Sequence, residues 1–261
     1  MKFNKGDYVT RNSYDNDIVF VIEDIKDGEA ILKGYDIRLI ANSPLEDLVL
    51  CEDKERNLDF INELKKDNLL NDFDRDDFFY LPGKVLHLDA DPDYLKKCLD
   101  YYKSNRVMAY GYCVKEDEIE KVLPKYLNEI KPDILVITGH DAFMKKDSDK
   151  SNLKNYKNTF NFIKGVKEAR EFEKSHEKLL VIAGACQSNY EELIKAGSDF
   201  ASSPKRVNIH ALDPAIIATE IALTEKNKKI DLLKLLDKTK YGKEGMGGLM
   251  VNGFMYVGYP R

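Results

Sequence analysis

Two side chains in this 261-residue sequence have the type and placing for nucleophilic chemistry: the imidazole of His140 and the thiol of Cys186, 46 positions further on. A deprotonated thiol is a strong nucleophile, and an imidazole can take its proton and later hand it to a leaving amine. The pair suits hydrolysis of an amide through an acyl-enzyme. Cys186 lies in Ala183-Gly-Ala-Cys-Gln-Ser188, where small residues let a substrate backbone come close. Placed where a strand meets a helix, its thiolate would gain from free backbone N–H groups and the helix dipole. A lone cysteine is most often a buried structural thiol, but the Gly-Ala-Cys-Gln setting and a companion histidine favour the nucleophile. His140 lies in Thr138-Gly-His-Asp-Ala142, with Asp141 placed either to orient its ring or to cap the next segment. A tetrahedral oxyanion needs backbone donors. The candidates are the Cys186 N–H and one N–H from the turn of Gly139, His140 and Asp141.

The elements that position these residues are legible as unalternating apolar runs. Asp133-Ile-Leu-Val-Ile-Thr-Gly139 delivers the histidine and Leu179-Leu-Val-Ile-Ala-Gly-Ala185 the thiol, both patterns of strands buried on two faces. Between them Phe160, Ile163, Val166, Ala169 and Phe172 predict a helix over 155–174. A strand–helix–strand unit makes the two strands parallel, side by side or nearly so, with their carboxyl ends at one edge. Strands over 84–89, 107–114 and 199–202 alternate with a helix opened by Asp91-Pro92, one over 116–129 that Pro124 should kink or split, one over 190–196 and one from Asp213-Pro214 to Leu223. Asn252-Gly253 between apolar runs predicts a terminal hairpin. The expected fold is α/β, a mostly parallel sheet flanked by helices, in a domain spanning 83–261. Before it, residues 1–50 form short β-rich runs with a hairpin turn at Asp27-Gly28, read as a small SH3-like β-barrel used for docking. Residues 51–82 are a charged, partly helical connector and a point for proteolytic nicking.

Composition narrows the class. With 43% hydrophobic residues and a formal charge of -5, nothing suggests a nucleic-acid partner. No run approaches the ~18 apolar residues of a membrane span, and Met1-Lys-Phe-Asn-Lys-Gly6 reads as the opening of a strand, not a signal peptide. Cys51, Cys98, Cys113 and Cys186 have neither metal nor disulfide spacing, which suits a reducing compartment. The sequence holds no zinc-ligand spacing and no Gly-rich phosphate loop after the first strand of the α/β domain, so no metal or cofactor is expected. His210 reads as a satisfied structural histidine, His87 as a weak crevice candidate and His176 as a solvated loop residue.

Longer blocks carry a more specific likeness. Lys84-Val-Leu-His-Leu-Asp89, Tyr94-Leu-Lys-Lys-Cys-Leu99, Pro132 through Ala142, Ala183 through Ser188, Phe200-Ala-Ser-Ser-Pro204 and Arg206 through Pro214 resemble the YabG family of sporulation proteases over nearly the whole chain. The His–Cys spacing is similar to that of the caspase–gingipain–clostripain group of cysteine peptidases, although there a Gly follows the His and here Asp141 does. The resemblance implies a caspase-like fold with His140 and Cys186 as the dyad. It also implies a peptidase made late in endospore formation that trims spore coat and cortex-related proteins, cutting after Arg, in the cytoplasm of the sporulating cell or on the spore coat. Protein substrates are then the partners. That group lines its primary specificity pocket after the strand next to the nucleophile, which points to Ser202 and Ser203. An arginine substrate needs a carboxylate. Asp199 and Asp213 are candidates, with Asp213 favoured as a helix cap. Two rival readings are another Cys-nucleophile hydrolase, amidotransferase-like, and a non-enzymatic coat or RNA-binding scaffold. The first wants Gly-x-Cys-x-Gly, and Ser188 stands in place of the last Gly.

Overall fold

The computed structural model describes residues 3–51, 60, 63, 64, 77–144 and 149–259. The chain divides into two compact units, Met1–Asp67 and Asn68–Arg261. In the first, β1 (Tyr8–Arg11), β2 (Phe20–Lys26), β3 (Glu29–Gly34), β4 (Ile40–Pro44) and β5 (Leu48–Leu50) form one antiparallel sheet in the order β4-β3-β2-β1-β5. Val9, Phe20, Ile22, Ala30, Leu32 and Leu48 are its buried core. Asp27 and Gly28 take positive φ angles of 52° and 84° and join β2 to β3 with Lys26 opposite Glu29, the expected hairpin. The expected closed SH3-like barrel is not found: among the described residues β5 pairs with β1 and no pairing joins it to β4. A strand of three residues has little edge left for closure. Most of the charged connector over 51–82 lies outside the described residues.

The second unit runs β6 (Phe79–Leu81), β7 (Val85–Asp89), α1 (Pro92–Ser104), β8 (Ala109–Cys113), α2 (Ile119–Ile130), β9 (Ile134–Thr138), α3 (Thr159–Phe172), β10 (Leu180–Ala183), α4 (Tyr190–Ala196), β11 (Phe200–Ser202), α5 (Asp213–Leu223), α6 (Leu232–Asp237), α7 (Gly242–Gly245), β12 (Met246–Gly248) and β13 (Tyr256–Gly258). Its sheet has the order β12-β11-β10-β9-β7-β8, parallel except for β12. Apolar side chains along the inner strands are buried on both faces, which is why these strands read as unbroken hydrophobic runs. Leu86, Leu88, Leu135, Ile137, Val181 and Ala183 pack one face against α2, α3 and α4. α5, buried at every position except Glu220, belongs to the other.

Local departures from expectation have physical causes. Pro124 does not split its helix: α2 runs unbroken from Ile119 to Ile130, held by the buried face of Ile119, Leu123, Leu127 and Ile130. In α3 the buried stripe is Thr159, Phe162, Ile163, Val166 and Ala169, while Phe160 and Phe172 stay exposed. Steps of three residues drift by about 60° each round a helix of 3.6 residues per turn, which carries Phe160 and Phe172 off the buried face and leaves Phe162 on it. Asn252-Gly253 makes no hairpin. β12 pairs with β11, β13 with β6, and a Cβ on Gly253 would lie 2.0 Å from the Thr224 carbonyl oxygen. Close backbone approach, not a turn, is what this glycine serves.

Candidate active site

β9 and β10 are direct neighbours, with Ile137 opposite Ala183. His140 and Cys186 each follow three residues later, so the register brings both to the carboxyl edge of the sheet on adjacent strands. Asp89 ends β7 and Cys113 ends β8 at that edge.

The His140 ring is held at one nitrogen. Nε2 lies 3.0 Å from Asp91 Oδ2, while Nδ1 is buried and has no hydrogen-bond partner among the described residues. With a carboxylate at Nε2, that nitrogen carries the proton and Nδ1 presents a lone pair. Tyr94 packs against the ring at 5.7 Å between centroids. Asp91 is the residue that sequence reasoning placed only as a helix opener, and its two oxygens divide the work. Oδ1 accepts the N–H of Asp93 (3.0 Å) and Tyr94 (3.2 Å), capping α1, and Oδ2 takes His140. The cap was visible in Asp91-Pro92; the reach to residue 140 is a product of the β7–β9 pairing alone.

Asp141 does not orient the ring. Its buried carboxylate accepts from Ala142 N (2.9 Å), Asn158 N (2.7 Å), the Thr159 hydroxyl and the Ser188 hydroxyl (2.8 Å). Burial pushes its carboxyl above the ordinary range, against the pull of these four donors. Because Ser188 also accepts from Ala185 N at 3.0 Å, Asp141 ties the His140 loop to the Cys186 loop. The serine where an elbow glycine was sought is therefore a built contact.

Cys186 sits in a turn between β10 and α4, short of the helix itself. Its side chain is fully buried, and Sγ accepts the Ile209 N–H at 3.2 Å. The same sulfur lies 3.8 Å from the Ile209 carbonyl oxygen, within reach of a thiol donating to it, so Ile209 engages Cys186 through both its backbone groups. Gln187 adopts a φ of 57°, Ser203 68° and Arg206 57°, left-handed values uncommon for residues with a Cβ. These three interlock: Gln187 N donates to Ser203 Oγ (3.0 Å), Gln187 Oε1 accepts from Phe143 N (3.2 Å), and Arg206 Nη1 donates to the Ser203 carbonyl (3.2 Å). The strained backbone thus gathers around the Cys186 turn.

Other expected residues fall elsewhere. His140 N–H donates to Glu116 Oε1 at 2.8 Å, which takes it out of the oxyanion candidates. A Cβ on Gly139 would meet that same oxygen at 2.7 Å and the Ala90 Cβ at 2.9 Å, so a side chain there would have to displace the Glu116 contact. Ser202 and Ser203 are fully buried, and the Ser203 hydroxyl is spent on Gln187 and Val207. Asp199 lies at the opposite, amino-terminal edge, just before β11. It is fully buried, with Oδ2 2.6 Å from both Arg170 Nη2 and Val181 N and Oδ1 2.5 Å from His176 Nδ1. A carboxylate there cannot read a substrate at the Cys186 edge, and His176, an exposed loop residue as expected, is bonded to it as well. Asp213 is the first residue of α5, with Leu212 as its N-cap; its buried carboxylate accepts His210 N (2.8 Å) and Lys240 N (2.9 Å). It clamps two segments and is no open guanidinium site. Nδ1 of the buried His210 accepts Leu212 N at 3.1 Å, a structural role. A cleft of about 400 Å³ lies between α4, the loop after β11 and Lys150 with Ser151, and its lining includes neither Cys186 nor His140.

Comparison with known proteins gives this geometry a family. A family model described as YabG peptidase U57 matches residues 4–260. The sporulation-specific protease YabG of Bacillus subtilis (strain 168) is 38% identical over 286 aligned residues, covering 100% of this chain and 99% of that protein. Among solved structures, the receiver domain of the Francisella response regulator 1452 aligns with a TM-score of 0.34 at 19% identity, over 54% of this chain and 96% of that one. So loose a likeness decides nothing about the fold or chemistry. The match along almost the full length of the sequence does decide the family: the chain belongs to the YabG peptidase U57 family.

Proposed function

We propose that the chain is a cysteine endopeptidase of sporulation. His140 Nδ1 takes the proton of the Cys186 thiol, and sulfur attacks the substrate carbonyl. The imidazolium then returns the proton to the leaving amine, and water hydrolyses the acyl-enzyme by the reverse use of the same base. Asp91 keeps Nε2 protonated and steadies the imidazolium. The observation that carries this reading is the His140 ring itself, with Nε2 committed to a carboxylate and Nδ1 uncommitted, on the strand next to the one that delivers a thiol. Oxyanion donors are the Cys186 N–H with that of Gly139 or Asp141.

Spore coat and cortex-related proteins as substrates, cleavage after Arg, and action in the sporulating cell or on its coat belong to this proposal through the family likeness. Because Cys186 is buried beneath Ile209, the reading includes a shift of segment 203–212 before a peptide reaches sulfur.

A second reading has one observation behind it: full burial is ordinary for a structural thiol. In that case the chain is a scaffold or uses other chemistry. Incubating an arginine-containing spore coat protein with the parent, Cys186→Ala and His140→Ala, each checked for folding, separates the two. Fragments ending in Arg from the parent alone support the peptidase. Equal cleavage by Cys186→Ala sinks the dyad.

A further inference from the structure

We infer that Asp89, backed by His87 and Tyr102, is a positioning residue that sets both the placement and the electrostatic setting of the Asp91–His140 pair. The inference rests on the reading of His140 as the base. Asp89 is the last residue of β7, the strand between β9 and β8, and is fully buried. Its Oδ1 accepts the backbone N–H of Asp91 at 3.0 Å. Its Oδ2 lies 3.7 Å from His87 Nε2, and His87 Nδ1 lies 3.0 Å from the Tyr102 hydroxyl. His87 and Tyr102 are also fully buried. Tyr102 belongs to α1, the helix that Asp91 caps, so the contacts close a loop from strand end to cap to helix and back to the strand.

The chemistry of burial makes this polar chain unusual. A carboxylate and an imidazole taken out of water carry a desolvation cost that two apolar side chains of similar volume would avoid. What the chain provides is an angular constraint. Asp91 has to aim Oδ1 at the helix N–H groups and Oδ2 at His140 at once, and it can do so only if its own peptide is fixed. Asp89 supplies that fixing bond. It also places a second negative charge behind the pair. Charged and titratable groups facing this corner are Asp91, His140, Glu116, Cys113, His87, Tyr102 and Tyr94. Cys113 lies opposite Asp89 on β8 and is exposed, so it serves as an internal reporter of the field. Burial pushes its thiol up, and Asp89, Asp91 and Glu116 add to that.

The test compares Asp89→Asn and Asp89→Ala with the parent, using a peptide substrate and iodoacetamide labelling of Cys113, both across pH. Asparagine keeps an acceptor for the Asp91 N–H and loses the charge; alanine loses both. The expected result for Asp89→Asn is kcat within about tenfold of the parent, with the pH profiles of kcat/KM and of Cys113 labelling both moved to lower pH. For Asp89→Ala it is a further fall in kcat, about tenfold or more, at unchanged KM. A purely structural role would lower the melting temperature and leave kcat per folded molecule and its pH profile in place. That outcome overturns the inference. If Asp89→Ala does not fold, the pH shift of Asp89→Asn decides alone. Parental cleavage by a folded His140→Ala control would mean that the base assignment has failed, which is a distinguishable result.

Discussion

Replacing Asp91 by Asn separates the two tasks of one side chain. An asparagine Oδ1 can still accept the Asp93 and Tyr94 N–H groups, and Asn equals Asp as a cap. What α1 loses is one negative charge at its N-terminus, about 0.3–1 kcal/mol. For a domain of this size that lowers the melting temperature by roughly 2–4 °C at most. The other side of the residue fares differently. An amide NH₂ in place of Oδ2 faces His140 Nε2, and the ring can accept that bond only by moving its proton to Nδ1. A base with its lone pair turned away cannot take the Cys186 proton. The corresponding change in Ser-His-Asp enzymes costs about 10⁴ in kcat. Here kcat is expected to fall by about 10³–10⁴, some 4–5.5 kcal/mol of barrier, with KM little altered. Asp91→Ala, which also removes the cap, should lose about 1 kcal/mol more stability with a similar kcat. Single-turnover cleavage of a labelled peptide, alongside thermal melts, measures both quantities. A folded Asp91→Asn variant cleaving within tenfold of the parent would refute the reasoning, because its Nδ1 would then not be the working base.

Three further outcomes are expected. Asp199→Ala removes the counter-charge of Arg170, whose other donors keep their backbone carbonyls, and the acceptor of the Val181 N–H, so unfolding free energy should drop by about 3–5 kcal/mol while cleavage per folded molecule stays at the parental rate; a denaturant titration with active-site normalisation reads both. Cys113, though exposed, should alkylate more slowly at neutral pH than a free thiol, and buried Cys186 more slowly still without substrate; peptide mapping after timed labelling checks the order. Asp141→Asn puts an amide NH₂ in place of one carboxylate oxygen, and so against two of the four donors, and should cost about 1–3 kcal/mol. Since burial raises the Asp141 carboxyl in the folded state, its contribution is present in acid and is lost as pH rises through the folded value. The stability of the parent relative to Asp141→Asn should therefore grow as the pH falls towards 4, as urea unfolding at several pH values would show.

Much of this arrangement was legible because strand burial writes itself into composition. The runs before His140 and Cys186 could belong only to inner strands, and β9 and β10 are indeed adjacent. Asp91 was half legible: a cap is a local signal, whereas its second oxygen answers to a residue brought near by pairing β7 with β9. Asp199 was legible in the opposite sense to its nomination. It opens the strand over 199–202 whereas Cys186 follows its own strand, so parallel pairing puts the two at opposite ends of the sheet, as the register shows. Phe160 and Phe162 lie about 200° apart round the helix, and a reading built on steps of three picked the exposed one because it left out the drift of each step. Gly253 carried a turn signature but serves a close approach to Thr224.

The β11–β12 pairing has a bearing on biosynthesis. Gln187, next to the thiol, leans on Ser203, and Ser203 N in turn donates to the Gly245 carbonyl at 2.6 Å, just before β12 closes the sheet on β11. Translation delivers the histidine and the thiol long before Gly245 and β12 leave the ribosome. On the proposed dyad, a nascent chain therefore carries both groups without the buttress that shapes their loop, and proteolytic competence is expected only once the last segments of the domain are in place.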